Sequence, residues 1–337
     1  MNTVKLGGTD LEISEVGFGG IPIIPLSKKD AVSIVKYCFD LGITFFDTAN
    51  MYTTSEEKIG TALKSVREKV VIATKTTQRD ANGAAAHIDN SLQQLKTDWI
   101  DIYQFHNVSN KDALEQILAP QGAYQAACKA RDAGKIRFIG ISSHSISTAM
   151  EALKTGLFHT LQFPFNFIEN DPQNELFPFA CQNNVGIIGM KPLGGGLLER
   201  AGLCFGFLQQ HPHVVPIPGI RAKKEVDEII ELYRHPQPLS RSDLKEMKNI
   251  QSVLGETFCH RCEYCMPCEQ GVQIPSVLIF QAVAKRLSPE GVSAWLAKAM
   301  ESVAECIECR ECEEKCPYNL PITDLLKENL ALYKEYV

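Results

Sequence analysis

VVIATKTTQRDANGAAAHIDNSLQQLKTDWIDIYQFH, residues 70–106, decides the fold. It opens on a nearly all-apolar run, Val70–Lys75. A helical stretch follows, Ala86–Leu95, with apolar residues at three- and four-residue spacing, and then a second apolar run, Ile100–His106. Apolar strands joined by a helix belong to a parallel sheet whose outer face is covered. The same alternation extends in both directions. Further strand-like runs lie at Val16–Gly20, Gly42–Asp47, Ile136–Ser142, Thr160–Phe163, Val185–Lys191 and Val214–Ile220. Helical stretches separate them, among them Ala31–Leu41, Glu56–Val66, Ala123–Ala133, Thr148–Leu153, Phe177–Gln182 and Lys224–Tyr233. Eight strand–helix units predict an α/β fold, a closed (β/α)8 TIM barrel. An open doubly wound sheet is the alternative, but it calls for GxGxxG after the first strand, and Gly17-Phe-Gly-Gly20 does not supply it. Val4–Ile13, with Gly7-Gly8 at its centre, reads as a hairpin able to plug the barrel bottom.

In a barrel, catalytic groups come from the C-terminal strand ends and the loops after them. Three polar residues end otherwise apolar strands: Asp47, Lys75 and His106. Tyr52 follows Asp47 in a short loop, just before Thr53-Thr54-Ser55-Glu56-Glu57, which reads as an N-cap and capping box. A phenol titrates near pH ~10 and is a poor acid–base group unless its anion is stabilised. Lys75 would supply that stabilisation, Asp47 would hold Lys75 charged, and His106 would orient a substrate oxygen. The bland reading of each residue alone is structural or solvated; four at one end of consecutive units argue for chemistry.

After Arg234 the composition changes. His235-Pro-Gln-Pro-Leu239 is a linker, and a polar helix runs to about Leu254. This divides the chain into 1–235, the barrel, and 236–337, a linker with a cysteine-rich module. That module holds Cys259-x2-Cys262-x2-Cys265-x2-Cys268 and Cys306-x2-Cys309-x2-Cys312-x3-Cys316-Pro317. The second run has bacterial ferredoxin spacing, in which three thiolates hold one iron–sulfur cluster and the fourth reaches to another. Two runs with an amphipathic helical insert (near Ser276–Val303) predict an α-helical ferredoxin-like domain with two 4Fe-4S clusters. Cys259, Cys262, Cys265 and Cys316 would hold one; Cys306, Cys309, Cys312 and Cys268 the other. Cys268 departs from the pattern, because Pro267 precedes it and only two residues separate it from Cys265. Zinc, which pairs CxxC knuckles, and disulfides, which need an oxidising compartment, are the competing readings.

The net charge of −6 and pI near 5.8 argue against nucleic acid as a partner. Residues 255–337 carry 13 acidic and 8 basic side chains, a solvated face or one that steers a basic redox partner. No signal-peptide pattern and no membrane-length apolar run is present, so a soluble, cytoplasmic protein without a membrane partner is expected.

Residues 1 to about 235 resemble the aldo-keto reductase family in FDTANMY, VVIATK, IYQFH, GKIRFIGISSHS (134–145), LQFPFN (161–166) and PIPG (216–219). With CMPC and CIEC…CEEKCP attached, the chain resembles that family's ferredoxin-fused, 4Fe-4S branch. The resemblance implies the tetrad of Asp47, Tyr52, Lys75 and His106, with Tyr52 as general acid acting on a small carbonyl or alcohol substrate. It also implies an extended NADP(H) or NAD(H) across the barrel top, with Ser142 and Gln162 at the carboxamide. Gly20, Lys191, Leu193, Gly195, Gly219, Arg221 and Lys224 complete the expected cofactor contacts. The Gly194–Gly196 loop and the cations after strand eight can bind phosphate through backbone N–H groups and charge. Two departures stand out: Met190 replaces the usual stacking aromatic, and Glu225 and Ile229 replace residues that commonly clasp the adenine end.

The leading expectation is an oxidoreductase whose clusters transfer electrons to a partner protein. Because hydride carries two electrons and a cluster passes one, a flavin could be the splitting group, on the phosphate site after strands seven and eight. The alternatives are a reductase with purely structural clusters and a non-catalytic redox-sensing or electron-carrying nucleotide-binding protein.

Overall fold

The computed structural model describes residues 1–337. Strands β1 (Thr3–Lys5) and β2 (Glu12–Ser14) form an antiparallel hairpin. The remaining eight are β3 (Phe18–Gly19), β4 (Phe45–Asp47), β5 (Val71–Thr76), β6 (Ile100–Phe105), β7 (Ile136–Ser142), β8 (Thr160–Pro164), β9 (Gly186–Met190) and β10 (Val214–Ile217). All eight pair in parallel and in sequence order. A parallel bridge between Gly19 and Gly219 closes the first strand on the last. Gly17 N and Gly19 N complete the seam, donating to Pro216 O and Pro218 O, each at 2.8 Å. The barrel read from the sequence is the fold observed.

Period-two alternation sets what faces inward. Phe45, Val71, Ala73, Ile102, Ile188, Val215 and Ile217 form one buried cluster with Leu6, Leu11 and Ile13 of the hairpin, which plugs the bottom. Phe46, Ile72, Tyr103 and Phe105 point the other way, into the larger shell between strands and helices. Along β5 the inward stripe therefore runs Val71, Ala73, Lys75, and along β4 Phe45, Asp47. The interior is apolar at the plugged end and polar at the mouth.

Two helices escape the sequence reading. Lys111–Leu118 begins at Asn110, whose side chain accepts from Ala113 N at 2.9 Å. Ala201–Leu208 is apolar all round, so it carries no helical period to read. The capping box expected at Thr53–Glu57 is also absent. Thr54 is the N-cap without a side-chain bond. Glu56 turns inward instead and accepts from Thr74 Oγ1 at 2.6 Å, while Ser55 Oγ donates to Gly20 O at 2.9 Å. Tertiary partners on the neighbouring strands outcompete the local cap.

The helix Arg241–Leu254 lies on the barrel: Met247 is buried in the barrel's shell, with Ile250 and Leu254 packed against it. Beyond it, helices Ile274–Leu278, Phe280–Ala284, Pro289–Glu301 and Ile322–Tyr336 enclose a separate core that includes Cys316. This module covers the mouth of the barrel. Asn107 and Asn110, after β6, face Glu263 at 3.5 Å. After β7, Ser147 Oγ meets Tyr264 Oη at 2.8 Å. After β8, Phe167 O accepts from Gln251 Nε2 of the linking helix at 2.5 Å. After β9, Glu199 pairs with Lys285 at 2.8 Å, and after β10, Arg221 Nη1 donates to Lys285 O at 3.4 Å.

Candidate functional site

The four residues at the ends of β4, β5 and β6 and in the loop after β4 converge. Lys75 Nζ donates to Asp47 Oδ1 at 2.6 Å, Asp47 Oδ2 at 2.7 Å and Thr48 O at 2.6 Å, which uses all three of its protons. It stands 5.4 Å from the centre of the Tyr52 ring. The His106 ring meets Tyr52 edge to face, 5.6 Å between centroids. Behind them, Gln104 Nε2 donates to Gln162 Oε1 at 2.9 Å and lies 3.4 Å from Asp47 Oδ2.

Burial governs the charges here. It raises the Asp47 carboxyl, opposed by Lys75, and lowers the Lys75 ammonium, opposed by Asp47. With both oxygens of one engaged by the other at 2.6–2.7 Å, the two hold each other as an ion pair. Burial and then the Asp47 charge push the Tyr52 phenol up, while Arg261 and Arg286 pull the other way. His106 is driven well below the usual imidazole range by burial and by Lys75, Arg261 and Arg79. It is therefore neutral, and its Nδ1 is buried without a partner. Arg79 fixes the loop that carries it, donating to His106 O at 2.7 Å and Asn107 O at 3.1 Å.

Ser142 and Gln162 are buried at the barrel top. Ser142 Oγ accepts from Asn107 N at 2.9 Å, and Gln162 Nε2 lies 3.8 Å from the Met190 sulfur. Gly20 N donates to Asp47 O at 2.8 Å, tying the first strand to the tetrad. Lys191, Leu193 and Gly195 belong to the loop after β9, and Gly219 and Arg221 to the loop after β10. Burial lowers Lys191 to about 8, opposed by Glu169. Arg221 is held by Glu225 at 3.8 Å. Lys224 is exposed in the first turn of the helix Lys223–Arg234, on the outer ring rather than among the tetrad.

Of the two predicted ligand sets, the fold gathers the first around one cavity. Cys259, Cys262, Cys265 and Cys316 line one cavity, together with Arg261 and Tyr318. His260 stacks on Tyr318 at 3.6 Å between ring centroids, clamping the first run against the end of the second. Burial and the neighbouring thiols Cys259, Cys262, Cys312 and Cys316 raise Cys265 to about 12. Four thiolates at such a place need a cationic centre to share, and iron fits that requirement. Cys268, Cys306 and Cys312 pack against the module's core, and Cys309 is exposed.

Two site residues were missed in the sequence, Arg261 and Arg286. A signal existed for the first: His260-Arg261 separates the first two cysteines of one run, where Ile307-Glu308 occupies that place in the other. Arg286 looked like any charged residue of an amphipathic insert.

The aldo/keto reductase family matches residues 15–204, and a 4Fe-4S dicluster domain matches residues 258–321. A Glycine max protein described as probable aldo-keto reductase 1 is 30% identical over 219 residues, 59% of this chain and 62% of its own. The chain thus spans less than two thirds of that relative. The holo form of an aldo-keto reductase from Bacillus halodurans superposes with a TM-score of 0.65 at 23% identity, over 74% of this chain and 96% of that one. A Klebsiella pneumoniae aldo-keto reductase in complex with NADPH does so at 0.63 and 22%, over 74% and 95%.

Proposed function

Since the chain belongs to the aldo/keto reductase family and carries a 4Fe-4S dicluster domain, we propose that it interconverts a small carbonyl compound and its alcohol with NADP(H) or NAD(H), Tyr52 acting as general acid, and that its clusters carry electrons between the barrel mouth and a partner protein. One observation carries the catalytic reading: Lys75, with every proton committed to Asp47 and Thr48, stands beside the Tyr52 ring opposite His106. When bound, the nicotinamide supplies a hydride to the carbonyl carbon. Tyr52 Oη gives its proton to the carbonyl oxygen as negative charge develops there, and takes it back in alcohol oxidation. Lys75 acts as a fixed positive charge that stabilises the resulting phenolate. Neutral His106 hydrogen-bonds the same oxygen and orients it. The module over the mouth keeps water from competing for these contacts.

Cys259, Cys262, Cys265 and Cys316 would hold the inner cluster, nearest the mouth, and Cys268, Cys306, Cys309 and Cys312 the outer one. When assembled, the clusters would pass electrons singly, so drawing on a hydride would require a two-electron acceptor such as a flavin to split the pair between the barrel and the clusters. Around the outer set, Glu305, Glu308, Glu311 and Glu314 are exposed, a face suited to a basic redox partner. Reduction of 4-nitrobenzaldehyde by NADPH and NADH tests the catalytic part, with Tyr52→Phe as the control. EPR of anaerobic protein tests the wiring: a reduced-cluster signal after nucleotide supports electron transfer. Clusters reduced by dithionite but silent to nucleotide would make them structural.

A further inference from the structure

Arg286 belongs to the cluster-bearing module, just past the helix Phe280–Ala284, yet its guanidinium lies on the barrel loop after β9. A Cβ at Gly195 would stand 2.6 Å from Arg286 Nη2 and 3.6 Å from its Cζ; one at Gly196 would stand 3.9 Å from its Nε. Gly194, Gly195 and Gly196 all have positive φ, 53°, 74° and 98°, so the loop combines a conformation favouring glycine with a surface bare of side chains. The chain on either side of the arginine is anchored: Lys285 pairs with Glu199 and its carbonyl accepts from Arg221, while Leu287 O accepts from Tyr336 Oη at 2.7 Å. Arg286 itself has no carboxylate partner. The ionisable groups acting on it are Tyr52, Arg261 and Arg221. A largely buried guanidinium among other cations is unfavourable unless an anion completes the site.

We propose that Arg286 and the Gly194–Gly196 loop close on the diphosphate of the nicotinamide dinucleotide, with Arg221 as the barrel's own cation, so that the iron–sulfur module supplies part of the nucleotide site. This rests on the nucleotide-binding reading above. The place is the one where barrels gather phosphate, the loops after the seventh and eighth strands, here β9 and β10. Tyr52 and Arg221 both act on Arg286, so the guanidinium lies within reach of the tetrad and of the loop after β10 alike, as a diphosphate contact requires. The missing side chains allow phosphate oxygens to approach the loop backbone, while the planar guanidinium offers paired N–H donors from the opposite side.

Calorimetric titration of the full-length, cluster-loaded protein with NADPH, NADH and ADP-ribose tests this. Arg286→Gln should weaken all three by about 30-fold, the scale of a lost charge-assisted contact. Arg286→Lys should recover part of the loss, since it restores charge without the fork. Iron content and thermal midpoint, measured on each variant, should match wild type. Affinities for all three within twofold of wild type overturn the proposal. A loss confined to NADPH also overturns it, moving Arg286 to the 2′-phosphate. Should the wild-type protein bind none of the three, the nucleotide reading itself fails, an outcome distinct from wild-type binding that Arg286→Gln leaves intact.

Discussion

At the bottom of the barrel, Arg67 donates to Thr97 Oγ1, Val70 O, Trp99 O and Asp101 Oδ2, all within 3.0 Å, and Arg137 links Asp101 to Asp10. At the mouth, Arg286 lies over bare glycines with other cations for neighbours. The barrel bottom also has an open cleft, lined by Arg67, Asp101, Arg137 and Asp10 among others. Its buried charges already hold one another, so a hollow there has no unmet demand for a ligand. The mouth is covered, and most of its charges are paired as well, but Arg286 is left without a carboxylate to complete it. Charge satisfaction therefore separates the structural end from the functional end better than the size of an opening does.

That contrast can be broken most directly at Tyr52. Tyr52→Phe should lower kcat for carbonyl reduction by about 1,000-fold while leaving nucleotide affinity unchanged, read by steady-state kinetics beside calorimetry. Retained activity would remove Tyr52 from the chemistry and the mouth from its role.

At the opposite end, Asp101→Ala leaves the Arg67 guanidinium without its carboxylate, and Asp101 Oδ2 also holds Ile72 N at 3.0 Å. Urea unfolding should report a loss of about 3 kcal/mol, with kcat and nucleotide affinity unmoved in the folded protein. A catalytic defect at full folding would mean that the bottom is not purely structural.

Gly195→Ala sharpens the picture of the mouth. The new methyl would press on Arg286 at a φ of +74°, so nucleotide affinity should fall about 10-fold while the backbone strain costs only about 1 kcal/mol of stability. Unchanged affinity would detach the loop from the ligand.

The smallest expected effect is an absence. Burial and three cations keep His106 neutral well below the usual imidazole pKa. The pH profile of kcat/KM should therefore show no inflection from His106 near pH ~6.5, where a free imidazole titrates. An inflection there that His106→Gln removes would show the ring charging, and the mouth to be wetter than its burial implies.

The eight barrel strands were legible because each is a short apolar run, and burial on both faces leaves that mark locally. Asp47, Lys75 and His106 were legible for a related reason: each is a polar residue ending such a run, and strand direction alone puts those ends on one face. Ser55 and Glu56 were misread because a capping box is also a local pattern. Here their side chains found Gly20 O and Thr74 on adjoining strands, partners that no local window contains. Ala201–Leu208 was missed because an all-apolar helix has no polar face to set its period.

By itself, then, the sequence determined what depends on neighbours along the chain: the parallel barrel, the polar strand ends and the two runs of thiols spaced to share clusters. Tertiary structure alone decided that the cluster module sits on the mouth, that Arg261 acts on the tetrad and that Arg286 fills the space above Gly195 and Gly196. The physical reason is that these contacts join segments far apart in the chain. Their geometry follows from how the module's own core packs and from the Glu199–Lys285 and Ser147–Tyr264 ties that anchor it, and neither leaves a periodic trace in the residues concerned.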